Sequence, residues 1–561
     1  MKRALFKGVT LSIAALFGCH ADAAERPNIL LIVADDLGYS DTQPFGGEIP
    51  TPSLQQLADQ GVRLTNFYAG PTCSLTRSML MSGVDNHIAG LGTMDRQQQP
   101  EQIGKPGYEG YLNRRVASLA ELLADKGYHT YIAGKWHLGM KPEQGPAARG
   151  FERSFVLLPG GASHFDDAVS MYPADREKST GIGKAPYLED GKPATPPKGF
   201  YSGAYYTDRM IEYIEAGRKD DKPFFGYLAY TAPHWPLQVP DADLDRFRGR
   251  YAEGYEALRQ ERLKRMRSQG IIAAETAANT KLEGKLPKWE ELTDEQRRQQ
   301  ARTMELYAAM VANMDQQIGR LLAYLQSTKQ LDNTFILFMS DNGAEASSLD
   351  GLRLTDWVNA TFDNGLANMG KKNSYLMLGP QWGQVGSTPF PYYKGLTARG
   401  GINVPAIVRF PGIGQPGNIE TRQIHVLDVV PTALELAGAR YPAERQGHAL
   451  APLQGRSMLA PLAGKEQPER PLGWEYNGRR NLIKGDWSLL MQAPPFGTGN
   501  WELYNLKDDP TALHDLSSSK PEKVKELAAD WEKYARDNGV VLSKKNVRYG
   551  YITCLFGHCV E

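Results

Sequence analysis

The chain has 561 residues, with 64 basic and 64 acidic side chains and 41% apolar content. A zero formal balance excludes the long-range field of one sign that recruits nucleic acid or an acidic surface, so any attraction for anions has to be local. The length permits a large core and more than one domain.

Residues 1–24 open with Lys2, Arg3 and Lys7, continue through an apolar run from Val9 to Gly18 and reach Ala21-Asp22-Ala23. This three-part pattern predicts a signal peptide and a periplasmic or secreted protein. Its apolar stretch is too short to span a bilayer. Leu16-Phe17-Gly18-Cys19 supports an alternative, a lipoprotein anchored to the membrane through Cys19.

Asn28-Ile29-Leu30-Leu31-Ile32-Val33-Ala34 is an unbroken apolar run that delivers Asp35-Asp36-Leu37-Gly38, the pattern of a central strand buried on both faces. Open α/β sheets place ligands at that end of a strand. Thr51 to Gly61 predicts a helix capped by Thr51, with Pro52 in its first turn and Leu54 and Leu57 facing inward. Pro71-Thr72-Cys73-Ser74-Leu75-Thr76-Arg77 follows, and Ser78 to Ser82 continues it as a helix with Cys73 and Arg77 on one face.

Thr130 to Ala133 reads as a strand leading into Gly134-Lys135-Trp136-His137-Leu138-Gly139, where Lys135 and His137 alternate along an extended loop. Phe224 to Tyr230 is another strand, ending at Ala232-Pro233-His234-Trp235-Pro236. Residues 241–298 form a charged helical excursion, mostly solvated, over the catalytic region or at an oligomer contact. The stripe Met304, Leu306, Met310, Met314, Ile318, Leu321 and Leu325 marks a helix packed on the sheet.

Thr334 to Ser340 repeats the pattern of the first strand and delivers Asp341-Asn342-Gly343. A flexible loop carrying Lys394 precedes the strand from Val404 to Arg409. A composition change near Tyr441 to Glu444 separates a catalytic domain, 25–444, from a smaller α+β unit, 445–561. In the latter, strands across Asn481 to Leu490 and Trp501 to Leu506 precede a helix near Glu522 to Asp537, and Cys554 and Cys559 are spaced to close a small disulfide loop. The fold class is α/β: a mostly parallel central sheet with helices on both faces, plus a small antiparallel sheet with a packed helix.

Asp35, Asp36, Asp341 and Asn342 supply hard oxygen ligands, and three carboxylates converging without a cation would raise one another's pKa values. Calcium suits such a set, with magnesium as the alternative. Arg77, Lys135 and Lys394 compose a positive cradle for a tetrahedral sulfate or phosphate ester. An unpaired cysteine in an exported chain asks for a chemical role, and Cys73 stands beside these groups.

In order and content, Ala34-Asp35-Asp36-Leu37-Gly38, Cys73 with Arg77, Gly134 to Gly139, Ala232 to Trp235 and Ser340-Asp341-Asn342-Gly343 resemble the bacterial arylsulfatases of the formylglycine-dependent type I sulfatase family, in the alkaline phosphatase-like superfamily. The resemblance runs from Arg26 through Leu516. It implies that Cys73 is converted by a maturation enzyme to formylglycine, whose hydrate attacks sulfate to give a sulfated enzyme. Asp35, Asp36, residue 73, Asp341 and Asn342 would surround calcium. Arg77, Lys135 and Lys394 would hold sulfate, His234 would assist the leaving alcohol, His137 would help expel sulfate, and Asp341 would help activate the attacking hydroxyl. Leu75 stands where the family's maturation motif has Pro or Ala. The implied substrate is a small aryl sulfate. A phosphate or phosphonate monoester hydrolase and an anion-binding protein with unmodified Cys73 are the alternatives.

Overall fold

The computed structural model describes residues 26–280, 286–350 and 354–543, and the backbone of the strand pair 554–555 and 558–559. The signal segment 1–24 and Cys19 lie outside the described residues. Cys554 pairs with Cys559 in backbone register, but their side chains, and with them the expected disulfide, lie outside the described residues too.

Five strands carry the centre of the main sheet: β1 (Asn28–Ala34), β2 (His129–Lys135), β3 (Phe224–Ala229), β4 (Thr334–Ser340) and β5 (Asn403–Arg409). Their spatial order is β5-β4-β1-β3-β2. β1 is parallel to both β3 and β4, and Ala34 lies opposite Ser340. That register brings Asp35-Asp36 beside Asp341-Asn342.

The sheet is mixed rather than parallel throughout. β5 runs antiparallel to β4 and to the strand Val62–Tyr68, and the far edge is closed by the antiparallel strands Tyr187–Glu189 and Lys192–Ala194. Antiparallel edges on a parallel centre are common because short hairpins can add there without a crossover helix.

Alternate residues of β1 enter separate cores, as the period-two geometry of a strand requires. Leu30, Ile32 and Ala34 pack with Met304, Met310 and Met314 of a long helix. Ile29, Leu31 and Val33 pack with Met79, Leu80 and Met81. The short helix is α1 (Cys73–Ser82) and the long one is α2 (Asp294–Ser327), whose start is fixed by a capping box between Thr293 and Gln296. Among the described residues no helix is long and apolar enough to cross a membrane.

Three local expectations are corrected. Thr51 makes no side-chain cap on its helix, since its hydroxyl instead accepts from the Gln43 N–H at 2.9 Å. Among the described residues, the stretch 241–298 is helical only over Gly254–Ser268, in two short 3-10 turns and in the first residues of α2, and not all of its charges are solvated. Arg262 is fully buried there, with Nε on Glu48 at 2.7 Å and NH1 on Asp41 at 2.5 Å. The Lys394 loop is not a flexible surface segment, because Tyr393, Lys394, Leu396 and Thr397 are all buried and the short helix Arg399–Ile402 follows.

The strands Leu472–Tyr476, Arg479–Lys484, Trp487–Met491 and Glu502–Asn505 form an antiparallel sheet. The helix Pro521–Asn538 packs on it through Leu527 and Trp531. At the seam with the main sheet, His87 is buried with Nδ1 2.8 Å from Asp85 and Nε2 3.3 Å from Glu475. Tyr534 donates to the other oxygen of Asp85 at 2.9 Å. Two acceptors on two ring nitrogens require the imidazolium.

Burial opposes the charge on His87, but Asp85 and Glu475 outweigh it and raise the imidazole from 6.5 to about 9. A folded value above the unfolded one means that this stabilisation, on the order of 3 kcal/mol, is fully present below pH 6.5 and lost as pH rises through about 9. His87→Gln should therefore lower the urea midpoint clearly at pH 7 and much less at pH 10. A gap of equal size at both values would show that the seam does not depend on the imidazolium.

Candidate active site

The site is assembled where β1 and β4 end. The backbone N–H of Asp35 donates to Ala232 O at 3.0 Å and that of Asp341 to Ala34 O at 3.0 Å, so three strand ends are tied together before any side chain acts. Asp36 has a left-handed backbone, φ 68°. A non-glycine residue there is uncommon and marks a locally constrained position. Its N–H donates to Asp341 Oδ1 at 3.2 Å.

Cys73 occupies the first turn of α1 and its Sγ donates to Asp36 Oδ1 at 3.4 Å. Asp35, Asp36, Cys73 and His234 offer ligand atoms all within 4.8 Å of one another, and all are buried. Asn342 Nδ2 donates to Asp36 Oδ1 at 2.7 Å, while its own Oδ1 is buried without a hydrogen-bond partner.

Each carboxylate of the site has a cation. Lys135 Nζ lies 2.8 and 2.6 Å from the two oxygens of Asp35. Arg77 binds Asp341 Oδ2 through Nε at 2.9 Å and NH2 at 2.8 Å, and its NH1 donates to Lys135 O at 2.9 Å. Lys394 Nζ donates to Asp36 Oδ2 at 2.6 Å and to Glu345 Oε2 at 2.9 Å. Burial pushes the Asp35 carboxyl upward, against the pull of Lys135 and with the repulsion of Asp341 and Asp36 adding to it. Burial also pushes the Cys73 thiol up, helped by Asp341 and Asp36, so the unmodified sulfur is held as the weakly nucleophilic thiol.

With every carboxyl ionised, three cations against the four carboxylates Asp35, Asp36, Asp341 and Glu345 would leave one negative charge uncompensated, an imbalance that pushes Asp35 toward its protonated form, and Asn342 Oδ1 is an oxygen still lacking a partner. Hard oxygen donors with excess negative charge fit a divalent cation such as calcium. Of the residues predicted to hold it, Asp35, Asp36, Asp341 and Asn342 are suited to it in charge and in donor chemistry, whereas Cys73, a soft sulfur, would join them only once converted to an oxygen ligand.

A cavity of about 80 Å³ above Cys73 is lined by His137, His234 and Lys394. Arg77 and Lys135 are not in its lining. They lie behind it, holding Asp341 and Asp35. His137 reaches the cavity by a left-handed backbone, φ 56°, rather than by alternating with Lys135 along an extended loop. Its Nδ1 is buried with no hydrogen-bond partner. His234 shares Nδ1 with the Trp235 carbonyl at 2.6 Å, which makes that nitrogen the donor and turns Nε2 toward Asp36 Oδ2 at 3.4 Å. Burial, then the nearby lysines, holds both histidines well below the usual imidazole range. A larger cavity of about 670 Å³ opens between Tyr39, Arg399 and segment 466–470 and contains none of these groups.

Sequence reasoning missed Glu345. Its Oε1 accepts from the N–H groups of Ala346 at 2.9 Å and Ser347 at 2.7 Å and from the Ser347 hydroxyl. Its Oε2 accepts from Trp235 Nε1 at 3.2 Å as well as from Lys394. One buried carboxylate thus holds the lysine and the residue whose carbonyl orients His234. The available signal was its position four residues beyond Asp341 in the same loop.

With the geometry in place, residues 27–439 match the Sulfatase family. The chain is 42% identical over 539 residues to an uncharacterized sulfatase of Schizosaccharomyces pombe, covering 92% of this chain and 95% of that one. It is 40% identical over 471 residues to the arylsulfatase of Klebsiella aerogenes, covering 84% of this chain and 98% of that one. The crystal structure of Ps i-CgsB superposes with a TM-score of 0.64 at 25% identity, covering 91% of this chain and 93% of that one.

Glu345→Gln removes the charge that draws Lys394 away from Asp36, leaving the ammonium to compete with a bound cation for that carboxylate. Calcium affinity, followed by calorimetric titration, should fall about 10–100-fold, the usual scale for losing such a supporting group. An unchanged dissociation constant would remove Glu345 from the metal site's support.

Proposed function

We propose that this chain, which belongs to the type I sulfatase family, releases inorganic sulfate from small aryl sulfates, with residue 73 as nucleophile after its conversion to formylglycine. The reading is carried by the convergence of Cys73 with Asp35, Asp36 and His234 within 4.8 Å, at the floor of a cavity lined also by His137 and Lys394. Aryl substrates are supported by the 40% identical arylsulfatase and by the apolar residues around that cavity.

Asp35, Asp36, residue 73, Asp341 and Asn342 would hold one calcium ion, which when bound supplies fixed positive charge facing the ester's sulfate oxygens. The divalent charge would turn the site's one uncompensated negative into one positive. A monoanionic sulfate monoester matches that balance better than a dianionic phosphate monoester, while a phosphonate monoester, also a monoanion, ranks second on the family match alone.

The chain's own groups divide the remaining work. Lys394 faces the cavity and neutralises a sulfate oxygen, while Arg77 and Lys135 fix Asp341 and Asp35 from behind. Asp341 is one carboxylate proposed to activate the attacking hydroxyl, and Asp36, which accepts from Cys73 Sγ at 3.4 Å, is a second placed to receive that proton. His234, whose Nδ1–H is committed to the Trp235 carbonyl, presents a bare Nε2 3.4 Å from Asp36 Oδ2; it takes up the proton released to that carboxylate and passes it to the departing oxygen. His137 carries an unpartnered Nδ1 into the same cavity and takes the proton whose loss lets residue 73 release sulfate.

The signal-like pattern of residues 1–24 supports a periplasmic or secreted location, with lipid attachment at Cys19 as the alternative. A maturation enzyme that installs formylglycine is the implied partner.

Peptide mass spectra spanning Cys73, taken from protein made in its native host, should show formylglycine. The same preparation should release sulfate from an aryl sulfate, stop when calcium is chelated and resume when it is restored. Cys73→Ala should lower turnover by at least ~10³-fold, within the scale of losing a covalent nucleophile. An intact cysteine with no sulfate release would overturn the assignment.

A further inference from the structure

The cavity above Cys73 has two kinds of wall. Met94, Met140, Met171 and Leu158 are apolar and Tyr172 adds an aromatic face, whereas Arg96 and Arg176 bring guanidinium groups to its mouth. At about 80 Å³ it is far smaller than the roughly 300–1,000 Å³ of ordinary ligand pockets, so no more than about one ring fits inside it. Thioethers pack well against aromatic rings but offer little to the hydroxyls of a sugar.

The arginine rim is anchored from the opposite unit of the chain. Met94 packs with Leu75 and with Tyr476 of the C-terminal sheet. The Tyr476 hydroxyl donates to Gln97 Oε1 at 2.7 Å, and the Gln97 N–H returns to Met94 O at 3.0 Å. Between these fixed points Arg96 adopts a left-handed backbone, φ 62°, a conformation a non-glycine residue keeps only where its surroundings impose it. Arg176 comes from a separate element, the turn between the strands Val169–Asp175 and Thr180–Lys184, and its guanidinium lies 4.1 Å from the Tyr172 ring centroid. The hairpin is tied down by Tyr375, whose hydroxyl donates to Met171 O at 2.6 Å.

The rim also holds one acid. Asp95 lies 3.6 Å from Arg96, but at 35% and 61% exposure that pair is solvent-screened and weak. Two guanidinium groups, Arg96 and Arg176, thus line the cavity together with the groups around Cys73.

Building on the sulfatase reading of residue 73, we propose that this site selects aryl sulfates whose ring carries a second anionic group, a carboxylate or another sulfate, on the side away from the reacting ester. Arg96 and Arg176 bind that second anion while the methionines and Tyr172 hold the ring. A guanidinium accepts either anion through paired N–H donors.

The test uses the full matured chain and does not depend on turnover. Calorimetric binding of 4-hydroxybenzoate should be roughly tenfold tighter than that of 4-hydroxybenzamide, about one charge-assisted contact's worth. 4-Hydroxybenzenesulfonate, compared in the same way, tells whether the rim prefers a carboxylate or a sulfur oxyanion. In Arg96→Gln and in Arg176→Gln the benzoate-to-benzamide ratio should fall toward one. The same ratio in kcat/KM for the corresponding sulfate esters should follow, chiefly through KM.

Equal binding of the charged and neutral phenols would overturn the proposal. So would arginine variants that weaken both alike, since a loss shared with the neutral amide marks ring contact or a structural role rather than a subsite for a second anion. Selective binding without hydrolysis of any ester would uphold the subsite and sink the sulfatase reading instead.

Discussion

Four carboxylates, Asp35, Asp36, Asp341 and Glu345, are buried within one small volume at the ends of β1 and β4, and none of them is more than 2% exposed. Removing an ionised group from water costs several kcal/mol unless partners replace the lost solvation. Every other feature of the site answers that demand. Lys135, Arg77 and Lys394 each meet a carboxylate at under 3 Å, and backbone N–H groups of Asp36, Ala346 and Ser347 fill further acceptor positions. Because the cations serve the carboxylates first, only Lys394 among them also lines the cavity. The anion cradle is therefore shallower than a count of positive residues suggests, and the divalent ion would carry most of the positive charge that faces the ester.

Such a cluster is tolerable only on a rigid frame. The parallel register of β1 with β3 and β4 fixes three strand ends, and two separate cores clamp the sheet from its two faces. The loop after β1 is braced again from the helix Gly254–Ser268. Arg262 holds Asp41, and Asp41 Oδ2 accepts the Gly38 N–H at 2.8 Å, two residues beyond Asp36. The Tyr307 hydroxyl of α2 donates to that same oxygen at 2.5 Å. A charged helix remote in sequence thus supports the loop that carries Asp35 and Asp36 through a buried relay, and the excursion 241–298 is connected to the site by that contact.

What was legible in the sequence follows from pattern strength. β1 and β4 announce themselves as apolar runs that end in acids, so Asp35, Asp36, Asp341 and Asn342 could be placed together without any knowledge of the chain between them. Cys73 and Arg77 were readable because a helical repeat of four puts both on one side of α1. Direction was harder to read than proximity. Lys135 and Arg77 are near the ester site yet aimed at Asp35 and Asp341, a choice set by carboxylates that only the folded chain brings close. Glu345 and Arg262 were passed over because a single charge in a polar loop or a charged helix is ordinarily solvated. Their burial is a tertiary fact with no local periodicity to reveal it.

Leu75 shows where structure and maturation part. In the family it resembles, that position holds Pro or Ala. Here it lies in the first turn of α1, where backbone N–H groups have no partner within the helix and a proline would forfeit nothing that leucine keeps. Its side chain is fully buried between Met94 and Tyr476, at the junction that fixes the arginine rim to the C-terminal sheet. Leucine is therefore compatible with the backbone of the nucleophile's helix and adds apolar contact across the two units. Within the folded chain the position accommodates leucine, which is fully buried there. A protein that tolerates leucine there gains a packing link between the nucleophile and the substrate pocket's wall that proline or alanine, with less apolar reach, would supply less well.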